Sequence, residues 1–219
     1  EVGMLQLGSR AIYLDQTNFK LGERESIYDI AKNMERFMDI LMLRTFSHQA
    51  IVDMGRHASI PVVNGLSDDE HPCQALADLY TVIEHRGGLK GKKLVFIGDG
   101  NNVANSLAFA CALTGMHFVC ASPDGYMLKP EIVERARKIA VMGATSEATS
   151  DVRAAARDAD CLYTDVWASM GQEKEKEIRA AAFRDFQIND ALVALARPDV
   201  LVEHCLPAHR GDEITDSVI

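Results

Sequence analysis

Five short stretches of this chain gather residue types able to bind and activate a small anionic or zwitterionic molecule. Arg44 follows the apolar run Ile40-Leu41-Met42-Leu43. At the mouth of a sheet an arginine can fork onto a phosphate, carboxylate or carbonyl oxygen, although an arginine paired with a nearby acid is an ordinary surface residue. In Asn64-Gly65-Leu66-Ser67-Asp68-Asp69-Glu70-His71-Pro72-Cys73-Gln74, Pro72 suits a first helical turn. His71 then sits at the N-cap, beside backbone N–H groups that attract negative charge. His71 and Gln74 together can hold a small, partly anionic ligand; either alone would more usually cap the helix or face solvent. Ile97-Gly98-Asp99-Gly100-Asn101-Asn102-Val103 has the strand–turn–helix grammar of a mononucleotide-binding turn. Val103 stands where G-x-G-x-x-G has its third glycine, which disfavours a dinucleotide. Asn101 and Asn102 instead offer amide donors and acceptors suited to a zwitterion such as an amino acid.

Asp165-Val166-Trp167-Ala168-Ser169-Met170-Gly171-Gln172-Glu173 adds a carboxylate for an ammonium group and a small turn, Ser169-Met170-Gly171, whose N–H groups can receive a carboxylate. Trp167, the single tryptophan, is expected to pack. His204-Cys205-Leu206-Pro207-Ala208-His209-Arg210-Gly211 closes the last apolar run, and Cys205 can be read as a nucleophile, a proton relay or a buried thiol. His71, Cys73, His204, Cys205 and His209 include zinc-ligand types but lack the paired spacing of a zinc site. Adjacent His204 and Cys205 on a strand would also face opposite ways. No metal and no cofactor are expected.

These stretches need elements to hold them, and the patterning supplies an α/β chain. Apolar runs at Arg10–Leu14, Ile40–Leu43, Pro61–Asn64, Lys93–Gly98, His117–Ala121, Cys161–Asp165 and Val200–His204 read as strands. Between them lie helices at about Glu25–Met38, Ser47–His57, His71–Glu84, Val103–Leu113 and Pro130–Met142, with further helical stretches around the last two strands. Strands apolar throughout and alternating with helices mean parallel sheets buried on both faces, which bind ligands beyond the carboxyl ends of their strands. Arg86-Gly87-Gly88-Leu89-Lys90-Gly91 is the most linker-like segment. It divides the chain into two doubly wound parallel-sheet domains, 1–86 and 91–219.

Composition narrows the partners. The 219 residues carry 23 Lys+Arg against 32 Asp+Glu, a net charge of −9, with no basic block. That disfavours a phosphate-gripping nucleic-acid binder and a binder of anionic membranes, so neither partner is expected. The five cysteines (Cys73, Cys111, Cys120, Cys161, Cys205) are odd in number and form no C-x-x-C. They read as reduced thiols of a cytoplasmic-type protein. No run of eighteen apolar residues occurs.

Taken together and in order, His71-Pro72-Cys73-Gln74, Gly98-Asp99-Gly100-Asn101-Asn102, Asp165-Val166-Trp167-Ala168-Ser169-Met170-Gly171 and His204-Cys205-Leu206-Pro207 resemble the motifs of ornithine carbamoyltransferases, within the aspartate/ornithine carbamoyltransferase family. The resemblance covers essentially the whole chain. It implies a carbamoyl-phosphate domain followed by an amino-acid domain. It implies homotrimers, or multiples of trimers, with sites at subunit boundaries, and the making of L-citrulline and phosphate from carbamoyl phosphate and L-ornithine in arginine biosynthesis. By the same resemblance Arg44 and His71 polarise the carbamoyl oxygen and Gln74 holds the carbamoyl amide. Asp165 faces the α-ammonium of ornithine, and Asn102 with the Ser169/Met170 turn receives the α-carboxylate. Cys205 and Leu206 approach the reacting δ-nitrogen.

Two departures from the family pattern stand out. The phosphate loop S-T-R-T-R, which the family places just before the helix at Glu1-Val2-Gly3-Met4-Leu5, is not in the sequence, and a further phosphate-site arginine and a closing helix are also absent. A chain cut at both ends is therefore expected, one that binds carbamoyl phosphate poorly as it stands. In some members a Gln or His reaches a neighbouring subunit's phosphate from two residues before a glycine. Lys20 of Asn18-Phe19-Lys20-Leu21-Gly22 stands at about that place, keeping a donor and adding charge. Three alternatives remain open on the residues: transfer to another amine such as putrescine or an acylated ornithine, a non-catalytic amino-acid-binding module, and NAD binding. The Ser-Met-Gly turn favours a free amino acid over a diamine, the retained Arg44, His71 and Cys205 argue against a mere scaffold, and NAD lacks its third glycine. Bacterial-type His209-Arg210-Gly211 points to the cytoplasm.

Overall fold

The apolar runs after residue 90 become a five-stranded sheet in the computed structural model, which describes residues 1–15, 21–168 and 173–219. Its strands are β3 (Lys93–Ile97), β4 (His117–Ala121), β5 (Ser146–Thr149), β6 (Cys161–Thr164) and β7 (Leu201–His204), preceded in the chain by β1 (Leu41–Arg44) and β2 (Val62–Leu66). All pairings in the larger sheet are parallel, in the order β5-β4-β3-β6-β7. Such an order winds outward from β3 in both directions. The crevice beyond the carboxyl ends of β3 and β6 is thus the switch point where doubly wound sheets bind ligands.

Helices cover both faces of this sheet. On one, α4 (Pro72–Arg86), α5 (Asn102–Thr114) and α6 (Pro130–Ile139) bury Leu79, Val82, Leu107 and Val133 against Phe96, Phe118 and Tyr163. On the other, Val95, Ile97 and Leu162 meet Ala156, Phe183 and Ile188. The α5 helix is apolar nearly all round, as a helix sandwiched in a core must be. Its ends are set by local chemistry: the Asn101 side chain accepts from the N–H groups of Val103 and Ala104, and Gly115 closes it in the left-handed conformation.

The chain divides by packing into Glu1–Asn64 and Gly65–Ile219. In the smaller unit α2 (Ile27–Met34), capped by Ser26, and α3 (His48–His57), capped by Ser47, enclose Ile30, Ala31, Leu41 and Met54. This boundary lies ahead of the linker at 86–91, because α4 buries Ala75, Leu79 and Val82 in the core of the larger unit.

Three readings of the sequence need correction. Arg10–Leu14 forms no strand; Ile12, Tyr13 and Leu14 are exposed, and an apolar run without a ladder partner has nothing to hold it extended. Ser146-Glu147-Ala148-Thr149, which carries no apolar run, is a strand because it pairs at the sheet edge with β4, where one flank needs no burial. The helix from Ile27 ends at Met34, short of Met38, and the Glu35 carboxylate beyond it is taken by the backbone N–H and hydroxyl of Ser59 at 2.8 and 2.9 Å. No described helix is long and apolar enough to cross a membrane.

Candidate active site

At the switch point of the large sheet, three strand ends deliver Asn101, Asp165 and Cys205 to one spot. Asp165, buried just after β6, accepts the Cys205 thiol hydrogen at 3.0 Å on Oδ1. It accepts the Asn101 Nδ2 hydrogen at 2.8 Å on Oδ2, and its own Oδ1 also takes the Val166 N–H at 2.7 Å. Since Asn101 Oδ1 is committed to the α5 cap, its amide can present only N–H to Asp165. The carboxylate is held by donors yet keeps lone pairs for an incoming ammonium group. Burial, and then the charge of Asp165, push the Cys205 thiol well above its ordinary range. The thiol that faces a carboxylate in this way is a hydrogen donor, an arrangement that favours a supporting role over attack by a thiolate.

Asn102, one residue inside α5, donates from Nδ2 to the Ser67 carbonyl at 2.7 Å. The loop before α4 is further tied by Asn105 to the Asp69 carbonyl and by the His71 N–H to Ser106 Oγ at 2.8 Å. His71 occupies the N-cap of α4, with Pro72 in the first turn as the spacing predicted. One turn on, Gln74 donates from Nε2 to Asp78 Oδ1 at 2.7 Å. Arg44 is the last residue of β1, in the smaller unit, with an exposed side chain. Leu206 is exposed after β7 and holds a positive φ of 58°. Lys20, Ser169 and Met170 lie outside the described residues.

His204, next to Cys205, is held by partners of its own. Its Nδ1 accepts the Leu206 N–H at 2.8 Å, so the ring proton sits on Nε2, which faces Glu213 Oε1 at 3.1 Å. Burial raises the Glu213 carboxyl, but the hydrogen bonds from His204 and the His209 backbone outweigh it and hold the group below its ordinary value. Asp165, His204 and Cys205 bring ligand atoms within 4.8 Å of one another. Hydrogen bonds already engage both imidazole nitrogens, the thiol and the carboxylate, so the set fits a hydrogen-bonded turn better than a metal centre.

Several supporting residues escaped the sequence reading. Arg179 in α8 (Lys176–Phe183) is buried and reaches Asp99 Oδ2 at 2.6 Å, the Trp167 carbonyl at 3.0 Å and Glu175 at 2.9 Å, and lies over the Tyr126 ring. It thereby ties the loop after β3 to the segment after β6. Desolvation raises the Asp99 carboxyl despite this partner. Gly100 has a steric role: a Cβ there would lie 2.5 Å from the Leu128 backbone nitrogen. Asp78, the partner of Gln74, did leave a signal: an acid four residues after Gln74, among the apolar Ala75, Leu79 and Val82.

Residues 1–84 match the carbamoyl-P binding domain of the aspartate/ornithine carbamoyltransferase family, and residues 90–219 match its Asp/Orn binding domain. The chain is 50% identical over 220 residues to an ornithine carbamoyltransferase of Anoxybacillus flavithermus and 51% identical to one of Acidothermus cellulolyticus. In both cases the alignment takes in all of this chain and 70% of the relative. Among solved structures, the ornithine carbamoyltransferase from Pyrococcus furiosus superposes with a TM-score of 0.95 at 47% identity, and that from Thermus thermophilus with 0.87 at 44%. Each comparison covers 100% of this chain and 70% of the other.

Proposed function

The chain belongs to the aspartate/ornithine carbamoyltransferase family, and from that premise we infer how its residues carry the reaction. The reaction is transfer of the carbamoyl group of carbamoyl phosphate to the δ-amine of L-ornithine, giving L-citrulline and phosphate. The observation that carries this reading is the convergence of Asn101, Asp165 and Cys205 at the β3/β6 switch point. A carboxylate held there by neutral donors suits the α-ammonium of an amino acid.

The δ-amine attacks the carbamoyl carbon, a tetrahedral oxyanion forms, and the C–O bond to phosphate breaks. Arg44 and His71 are the donors for the developing oxyanion, where preorganised hydrogen bonds act most strongly. Gln74 holds the carbamoyl amide. Asp165 clamps the α-ammonium, while Asn102 with Ser169 and Met170 receives the α-carboxylate and Lys20 serves the phosphate. Clamping at the far end of ornithine leaves the δ-nitrogen directed at the carbonyl, which lowers the entropic part of the barrier. Leu206 flanks that nitrogen. Cys205 already donates its hydrogen to Asp165, so the amine proton passes instead to the departing phosphate, whose negative charge grows as the C–O bond breaks. None of these steps draws on a metal or cofactor.

Catalytic homotrimers in the cytoplasm complete the proposal. Five unbridged cysteines, three of them fully buried, suit a reducing compartment. Sedimentation of the intact protein tests the assembly. Citrulline formation tests the site: His71→Ala or Arg44→Ala should lower turnover by about 100- to 1,000-fold, and Asp165→Ala should mainly impair ornithine saturation. Unchanged ornithine saturation and turnover in Asp165→Ala would overturn the clamp.

A further inference from the structure

Gln74 is useful to a carbamoyl amide only in one of its two amide orientations. A carbamoyl NH2 group donates, so it needs the Gln74 Oε1 as acceptor, and a side-chain amide free to flip presents its NH2 half the time. The neighbour that decides is Asp78, one turn further along α4, whose Oδ1 takes the Gln74 Nε2 hydrogen at 2.7 Å. An ionised carboxylate is acceptor-only, so this bond forces Nε2 inward and Oε1 outward.

The surroundings make Asp78 an odd choice for packing alone. It is 6% exposed, in the layer that buries Ala75, Leu79 and Val82, and an uncompensated carboxylate in such a place is destabilising. Its second oxygen and the Tyr163 hydroxyl are both buried and act on each other, but not in the geometry of a close hydrogen bond. The groups that face it are Gln74 on its own helix, Cys111 on α5, Cys161 and Tyr163 on β6, Glu203 on β7 and Cys205 beyond it. None of these is a cation, so Asp78 is not half of a structural ion pair with them. Among the described residues its well-aligned side-chain bond runs to Gln74.

We propose that Asp78 is a positioning residue for carbamoyl transfer, acting through Gln74 by fixing its amide with Oε1 toward the carbamoyl NH2. This rests on the reading of Gln74 as a carbamoyl-phosphate ligand. Asp78→Asn keeps the shape but can donate as well as accept, so it releases the amide orientation.

The test is a double-mutant cycle on the intact, assembled protein, with KM and kcat read separately for both substrates. Asp78→Asn should raise the KM for carbamoyl phosphate by about tenfold and leave the KM for ornithine within about twofold. In a Gln74→Ala background the same substitution should change almost nothing, because its effect passes through the amide. An equal effect of Asp78→Asn with and without Gln74 overturns the positioning role while leaving Gln74 as a ligand. An unchanged carbamoyl-phosphate KM in Gln74→Ala alone instead overturns the ligand reading, and the proposal with it. Should Asp78→Asn fail to fold, the native protein still decides. Its Gln74 side-chain amide resonance, identified by loss in Gln74→Ala, should exchange slowly and sit downfield as expected for a carboxylate-bound N–H. A fast-exchanging amide at the free position overturns the proposal.

Discussion

The Cys205 thiol donates to the Asp165 carboxylate across 3.0 Å, joining residues 40 positions apart in the chain. On the proposed function, this bond gives the cysteine of the His-Cys-Leu-Pro motif the task of supporting Asp165. Cys205→Ser, which keeps a donor, should leave the KM for ornithine within about threefold of the parent, and Cys205→Ala should raise it by roughly tenfold. Steady-state kinetics with ornithine varied would show this, and equal kinetics in the two variants would count against the support role.

Thiol chemistry should follow burial. Cys73 is exposed, whereas burial pushes up the thiols of Cys111, Cys120 (to about 12), Cys161 and Cys205. Near neutral pH the native protein should therefore take up one equivalent of iodoacetamide, at Cys73, and five only when unfolded. Peptide mapping of the alkylated protein reads this directly, and early labelling of Cys205 would contradict the neutral-donor assignment.

Gly100→Ala should cost about 1–3 kcal/mol of stability. The added methyl would meet backbone atoms of Leu128 and Met127 at 2.5–2.7 Å, which cannot rotate aside. Because the same loop carries Asn101, ornithine affinity should fall along with the denaturant midpoint.

Arg179→Ala should destabilise by about 2–3 kcal/mol, since it strands the half-buried carboxylate of Asp99, its partner at 2.6 Å. The double variant Arg179→Met with Asp99→Asn should recover much of that loss. Urea unfolding of the three proteins measures the difference, and no recovery would mean that the Trp167 carbonyl contact matters more than the charge pair.

Burial raises Glu203 from an ordinary 4.5 to about 7, with the charge of Asp78 adding to the shift, and Asp78 itself rises from 3.8 to about 6. In the window between those values the folded state holds protons that the unfolded chain has released. Stability therefore falls as pH climbs from the ordinary carboxylate values to about 7, and the deficit is complete above the raised values. Glu203→Gln should raise the melting temperature by a few degrees at about pH 8 and by much less at about pH 5. A gain of the same size at both would show that Glu203 titrates normally in the folded protein.

The helical and strand periodicities placed Lys93–Ile97, His117–Ala121, Cys161–Thr164 and Leu201–His204 within a residue or two, because each is an apolar run that any parallel sheet would bury. The edge strand Ser146–Thr149 escaped for the opposite reason: its identity lies in backbone pairing with β4, not in its side chains. Arg10–Leu14 shows the converse, an apolar run with no ladder to join.

By itself the sequence determined the local frame of the candidate residues: His71 ahead of Pro72, Asn101 and Asn102 opening a helix, Asp165 and Cys205 just past strands. These are local facts, since caps, turns and alternation depend on neighbours a few residues away. Tertiary structure alone decided which atoms meet and in what charge state. Asp99 finds Arg179 from 80 positions away, and Asp165 finds Cys205 from 40. The protonation of Cys205, Asp78 and Glu203 is governed by water removed from around them. Desolvation is a property of packing in three dimensions, and no pattern along the chain encodes it directly.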